Sequence, residues 1–279
     1  MSLLFLDCAP MRPWWPRWDV GGTCIVVETD QGLVLVDTGV GLHDHADPYW
    51  VVRLFALDFG LRRDPETTAV RQLARRGITS ESIQHIVLTH LHFDHAGGLP
   101  DFPHAQVHVH RREHQAFLHP RSWIELAYDR ADAAHGPRWV LYDKVDADWM
   151  GFEAIRLPFT PKMHLIPLFG HTRGHCGVAI QDGDRWVFQC ADAAPVSHDF
   201  GVTPAWLNRI VLGNHGPRLR AFAQEHPEVR MLAGHMWRRF FEQQAAGQRA
   251  VDVPEDLWSR PWRTGMGAQC WVYLGSTNQ

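Results

Sequence analysis

The sequence predicts an α/β protein in which two β-sheets pack face to face beneath a cover of helices. Three observations carry that expectation: a strand-helix-strand order in the first third of the chain, a hairpin pattern around Gly183, and a helix-then-strand pattern that follows it. Residues 3–8, 22–29 and 32–37 are apolar or β-branched runs that read as strands, the last two joined by the turn Asp30-Gln31-Gly32. "ETTAVRQLARRG" sets Val70 and Leu73 at helical spacing and closes on Gly77, a C-cap residue, ahead of a strand that runs through His85-Ile86-Val87-Leu88. "GVAIQDGDRWVFQCAD" alternates as a hairpin turning at Asp182-Gly183-Asp184. "GPRLRAFAQEHPEVRMLAGH" reads as a helix followed by a strand that ends in Gly-His.

Composition bounds the functional classes. With 279 residues, 45% of them hydrophobic, the chain has enough apolar material for a substantial core, and no linker, charge block or repeat divides it, so one domain over 1–279 is expected. The net charge of −4 is small and evenly spread, which argues against nucleic acid or an anionic membrane as partner. Cys8, Cys24, Cys176, Cys190 and Cys270 contain no Cys-x-x-Cys pair and read as small core residues. The opening "MSLLFLDCAP" has no basic stretch and its apolar run stops at Asp7, so a cytoplasmic location is expected. The unusual counts are 19 His and 13 Trp, the first suited to metal ligation and proton transfer, the second to pockets and cores.

The histidines concentrate in "LTHLHFDHAGG", where His90, His92, Asp94 and His95 follow an apolar strand directly. In an extended segment His90 and His92 face one side while Leu91 points into the core, and Asp94 and His95 meet a neighbouring point as the chain turns at Ala96-Gly97-Gly98. Imidazole and carboxylate together suit zinc and other borderline divalent metals. Four residues cannot complete two adjacent sites, so further ligands are required elsewhere in the chain.

The motifs, taken together, resemble the metallo-β-lactamase superfamily. The resemblance implies an αββα sandwich of two mixed β-sheets flanked by helices, with metals at one edge of the facing sheets. "LVLVDTG" is similar to the family's first motif and makes Asp37 a residue that orients the metal loop without ligating. "GHTRGH" makes His171 a ligand and His175 a hydrogen-bonding supporter; "QCADAAP" makes Asp192 the bridging carboxylate; "MLAGHM" adds His235. The implied set is His90, His92 and His171 for one metal, Asp94, His95 and His235 for the other, and Asp192 between them. Two divalent ions are expected, zinc first, with iron, manganese or cobalt as the other candidates. Asp94, Asp192 and His235 would be the catalytic members.

Among family branches the chain most resembles the quorum-quenching lactonases, which implies hydrolysis of lactone or ester bonds in an apolar small molecule. Those lactonases carry a substrate-contacting tyrosine three residues after the bridging aspartate; Pro195 stands there in this chain. Trp14, Trp15 and Trp18 in "MRPWWPRWDVGG", with His198, are candidate substrate contacts, and the apolar stretch "DPYWVVRLFALDFGLRRDP" is a second candidate pocket wall, core element or homodimer contact. Phosphotriester hydrolysis on the same site is the nearest alternative, followed by glyoxalase-type thioester hydrolysis. A di-iron oxidoreductase and a non-catalytic metal-binding protein are further readings; the former's motif has a glutamate where His92 stands. His164 and His215 are not expected to ligate.

Overall fold

The computed structural model describes residues 3–12, 19–194 and 213–245. Its strands form two mixed sheets. The first contains β1 (Leu4–Asp7), β2 (Val20–Thr29), β3 (Gly32–Val36), β4 (Ile83–Val87), β5 (Gln106–His110) and β6 (Arg138–Tyr142) in that spatial order. β1, β2 and β3 are antiparallel, whereas β3 to β6 run parallel. The second sheet orders β7 (Ala147–Trp149), β8 (Phe152–Arg156), β9 (Met163–Pro167), β10 (Cys176–Asp182), β11 (Arg185–Gln189) and β12 (Val229–Leu232), with only β11 and β12 parallel. The expected hairpin is β10–β11, its Gly183 at φ +62°. The strand expected to end in Gly-His instead stops at Leu232, and His235 opens a separate short strand, β13 (His235–Trp237), that crosses to the first sheet and pairs with β2.

Side-chain alternation explains the layering. Ile25, Val27, Val34, Val36 and Val87 from the first sheet meet Ile155, Leu165, Val178, Ile180 and Val187 from the second in one inter-sheet core. Their neighbours in sequence, Cys24, Val26, Leu35 and Ile86, face the opposite way. There they pack on Leu73 of α3 (Ala69–Ala74) and Phe117 of α5 (Arg111–Leu118), the helices that cover the first sheet. On the outer face of the second sheet, Ala179 and Phe188 pack under Leu219 and Phe222 of α6 (Gly216–Glu225). Helix, sheet, sheet and helix thus stack in the αββα order.

Two short helices, α1 (Leu42–Ala46) and α2 (Trp50–Asp58), follow β3, and α4 (Phe93–Ala96) follows β4. The apolar stretch expected as a pocket wall is α2. Its Val52 is buried, and its Phe55 sits edge-on to Phe93 of α4 with ring centroids 5.2 Å apart, so it braces the His90–His95 segment from behind. Trp50, Leu54 and Leu57 are left exposed on its outer face, as is Phe59 just beyond its end. Cys8, Cys24, Cys176 and Cys190 are buried free thiols, as core residues should be. Among the described residues no helix is long and apolar enough to cross a membrane.

Candidate metal centre

Every motif residue arrives at one edge of the sandwich, mostly beyond strand C-termini. Asp37 follows β3, residues 88–98 follow β4, Asp192 follows β11 and His235 follows β12, while His171 and His175 precede β10. The strand β4 ends at Val87, so His90 and His92 stand on the loop beyond it rather than on the strand, with His92 extended (φ −67°, ψ 150°) as the N-cap of α4. Asp94 and His95 occupy α4 itself instead of an open turn. A hydrogen bond from Cys176 N to Thr89 O, 2.9 Å, joins this loop to the second sheet.

Three sets of ligand atoms converge, each within 4.8 Å: His90, His92 and His171; Asp94, His95 and His235; and His90, His95 and Asp192. The first two are the expected triads and the third joins them. Asp192 divides its carboxylate between them, Oδ2 lying 3.3 Å from His171 Nε2 and Oδ1 3.4 Å from His95 Nε2 and 3.8 Å from His235 Nε2. Asp94 Oδ2 lies 3.5 Å from His235 Nε2. The closeness of Asp192 to the strand turn needs Gly234, because a Cβ there would fall 2.1 Å from Asp192 Oδ1.

Partners on the far side of each ring decide which nitrogen faces inward. Asp37, at φ 55°, accepts from Thr89 N (2.8 Å) and Thr89 Oγ1 (2.8 Å), and from His95 Nδ1 at 2.9 Å. His95 is thereby held with its proton on Nδ1 and a lone pair on Nε2. The Thr89 hydroxyl, having donated to Asp37, accepts from His90 Nδ1 at 3.1 Å and turns His90 Nε2 inward in the same way. His175 uses both nitrogens structurally: Nδ1 donates to Leu168 O at 3.1 Å and Nε2 accepts the Asp192 backbone N–H at 3.0 Å. It therefore fixes Asp192 and presents no nitrogen to the cluster.

Sequence reasoning missed the group behind these loops. Glu113, fully buried in α5, accepts from Leu91 N (2.9 Å), Tyr128 Oη (2.9 Å), Thr172 Oγ1 (2.6 Å) and Gly174 N (3.0 Å). It ties the His90–His92 loop to the His171–His175 loop, and the Tyr128 ring rests 5.3 Å from His92. Burial pushes the Glu113 carboxyl up, and its four donors oppose that push. Its partners lie far off in sequence, so no local spacing could have revealed it. His215 donates through Nε2 to Phe169 O, 2.8 Å away, and His164 packs near Trp186, so neither belongs to the cluster. Trp14, Trp15, Trp18, Pro195 and His198 lie outside the described residues.

The donor set fits divalent metal. Nε2 of His90 and His95 and Oδ1 of Asp192 are buried with no hydrogen-bond partner among the described residues, an arrangement that costs about 1–3 kcal/mol per atom unless something occupies their midst, and His92 Nδ1 lies 3.0 Å from His171 Nε2. Burial first, then neighbouring imidazoles, hold His90 and His92 well below the usual histidine range, leaving neutral ligands. At His95 burial also pulls downward, but Asp192, Asp94 and Asp37 outweigh it and hold the ring well up. A cation between these carboxylates would take the place of that proton.

Comparison with known proteins agrees with this geometry. A probable metallo-hydrolase of Mycobacterium tuberculosis is 42% identical over 172 residues, 61% of this chain and 55% of that protein. An N-acyl homoserine lactonase of Bacillus thuringiensis is 28% identical over 166 residues, 57% of each chain. The matched regions thus span little more than half the length of these curated relatives. Two solved structures share the fold. An N-acyl homoserine lactone hydrolase with the product N-hexanoyl-L-homoserine at its metal centre has a TM-score of 0.64, with 20% identity over 88% of this chain and 95% of that one. A probable metal-dependent hydrolase from Staphylococcus aureus has a TM-score of 0.63, with 18% identity over 84% and 89%. Residues 17–196 match the model of the metallo-β-lactamase superfamily, and by that match, the αββα fold and the ordered motifs the chain belongs to this superfamily.

Proposed function

We propose that the chain is a dinuclear metal-dependent hydrolase that opens lactone or ester bonds of an apolar small molecule. The observation that carries the reading is the split carriage of Asp192, one oxygen toward His171 and the other toward His95 and His235. In this reading His90, His92 and His171 would hold one ion and Asp94, His95 and His235 the second, with Asp192 within reach of both. Two divalent ions so held, zinc first among candidates, would supply an activated water near neutral pH and Lewis-acid stabilisation of the developing oxyanion.

The chain's own residues do the rest. Asp37 and Thr89 keep His95 and His90 in the tautomers that aim Nε2 inward. His175 holds the backbone at Asp192 so that its carboxylate stays between the triads. Asp94, whose Oδ2 lies 3.5 Å from His235 Nε2, would accept a hydrogen bond from the attacking water and orient it. The Tyr128 hydroxyl already donates to Glu113 and so does not stand in for the phenol that Pro195 replaces. A donor to the substrate oxygen would then come from residues such as His198 or a loop tryptophan.

Lactones with acyl chains are the leading substrate class, because curated relatives bear the name N-acyl homoserine lactonase. The test is a panel of acyl lactones, aryl esters, phosphotriesters and thioesters turned over by the metal-loaded protein. Lactone and ester turnover that disappears in Asp192→Ala supports the reading. Strong hydrolysis of phosphotriesters or thioesters alone, by the same loaded protein, would remove the lactonase assignment and leave the metal centre in place.

A further inference from the structure

Behind the metal loop lies a second convergence of acids, separate from the residues above. Asp44 of α1, Asp129 and Asp132 are 2%, 5% and 1% exposed, and each offers one carboxylate oxygen to a point where these oxygens lie within 4.8 Å of one another. Asp44 Oδ1, Asp129 Oδ2 and both oxygens of Asp132 have no hydrogen-bond partner among the described residues. The opposite oxygens are used locally: Asp44 Oδ2 accepts from Gly41 N at 3.0 Å and Asp129 Oδ1 from Ala131 N at 2.9 Å. A fourth acid, Asp101, accepts from Leu42 N at 3.1 Å beside them. No ion pair is seen to any of the four among the described residues.

Carboxylates buried together without a basic partner are expensive, and the expense is met by protons or by a cation. From the convergence of unpartnered oxygens we infer that Asp44, Asp129 and Asp132 bind a hard divalent cation, calcium in the first place, as a structural site. Oxygens that lie within 4.8 Å of one another are about as far apart as the ligands of one ion bound at about 2.4 Å from each. The donors are all oxygen, without the imidazole or thiolate that would favour zinc. The four unpartnered oxygens, one each from Asp44 and Asp129 and two from Asp132, can supply about half of a calcium shell, whose flexible geometry tolerates such a donor set better than the strict octahedron of magnesium.

The placement gives the ion a purpose. Asp44 packs on the metal loop so closely that a Cβ on Gly97 would fall 2.2 Å from Asp44 Oδ2. Asp101 ends the turn Leu99–Asp101 that continues the loop, and Asp129 and Asp132 belong to the turn Arg130–Ala133 and its N-cap. A cation there would clamp α1 and the Arg130–Ala133 turn against the C-terminal end of the segment that carries Asp94 and His95. Without one, burial first and then the neighbouring acids push Asp44 to about 7 and Asp132 well above the usual carboxylate range.

Calcium chloride titrated calorimetrically into the full-length zinc-loaded protein, dialysed against calcium-free buffer, tests this, with magnesium chloride as the comparison ion. The expected result is one calcium per chain, counting any retained through dialysis, and a melting temperature raised by roughly 5–10 °C at about one hundred times Kd. Asp132→Asn should abolish both while the zinc content stays unchanged, and Asp129→Asn should weaken calcium binding at least tenfold. No calcium bound or retained by the wild type at millimolar concentration would overturn the assignment, and this measurement stands even if neither variant folds. Calcium stabilisation that persists unchanged in both variants would place the ion elsewhere and also overturn it. A wild type indifferent to calcium beside a stabilised Asp132→Asn would show that shared protons, not a cation, neutralise the cluster.

Discussion

At the scale of single residues, Asp192 and His175 separate two kinds of contribution that sequence spacing alone leaves side by side. Asp192 faces both triads, so Asp192→Ala leaves like charges facing each other without their bridge; turnover should fall to near background and metal content should drop, both read from one preparation by kinetics and elemental analysis. His175 faces Asp192 only through the backbone N–H. His175→Ala should therefore retain metal and lose about 10- to 100-fold in rate. Complete loss of metal in His175→Ala would show that it, and not His171, occupies the ligand position. Asp37 acts through protons rather than ligation: its carboxylate serves Thr89 and His95 together, and through Thr89 reaches His90.

At the scale of elements, stability rests on a few buried carboxylates that hold loops and strands together. Glu113 lets α5 bind two loops at once, and glutamine can accept at only one of its two terminal atoms. Glu113→Gln should cost about 1–3 kcal/mol and lower the melting temperature by several degrees, seen by calorimetry, because donors at the amide nitrogen lose their partner. An unchanged melting temperature would mean that the loops are held by their own backbone contacts. In β1, burial raises Asp7 to about 7; the Ala9 N–H, Arg238 and Arg62 draw it down and Asp19 pushes it up. The folded carboxyl keeps its proton up to that pH, whereas the unfolded chain releases it near the ordinary value of 3.8. Folding stability from this group is therefore lost as pH rises from about 4 to 7. Asp7→Asn should match the wild type near pH 4 and exceed it by roughly 2–4 kcal/mol at pH 8, measured by urea unfolding at the two pH values. Equal stability at pH 8 would show that Asp7 ionises without penalty.

At the scale of the whole molecule, the legible parts are those whose signal is local. Alternation gave the β2–β3 and β10–β11 pairs, and His90, His92, Asp94 and His95 stand within six residues of one another, so their pattern survives in the linear chain. What differs from the local pattern is geometry imposed from outside the segment: α4 places Phe93 against Phe55, and His235 opens β13, which pairs with β2. What was invisible depends on distant partners. Glu113 meets Leu91 across 22 positions and Thr172 across 59, and the Asp44–Asp129–Asp132 cluster joins α1 to the distant Arg130–Ala133 turn. In the proposed function this edge of the sandwich would hold two metals about one bridging carboxylate. The most direct measurement is anomalous diffraction from crystals of the zinc-loaded protein. The expected map has two peaks about 3.5–4 Å apart, one amid His90, His92 and His171 and the other amid Asp94, His95 and His235, with Asp192 between. A single peak, or a pair that leaves Asp192 unligated, would contradict it.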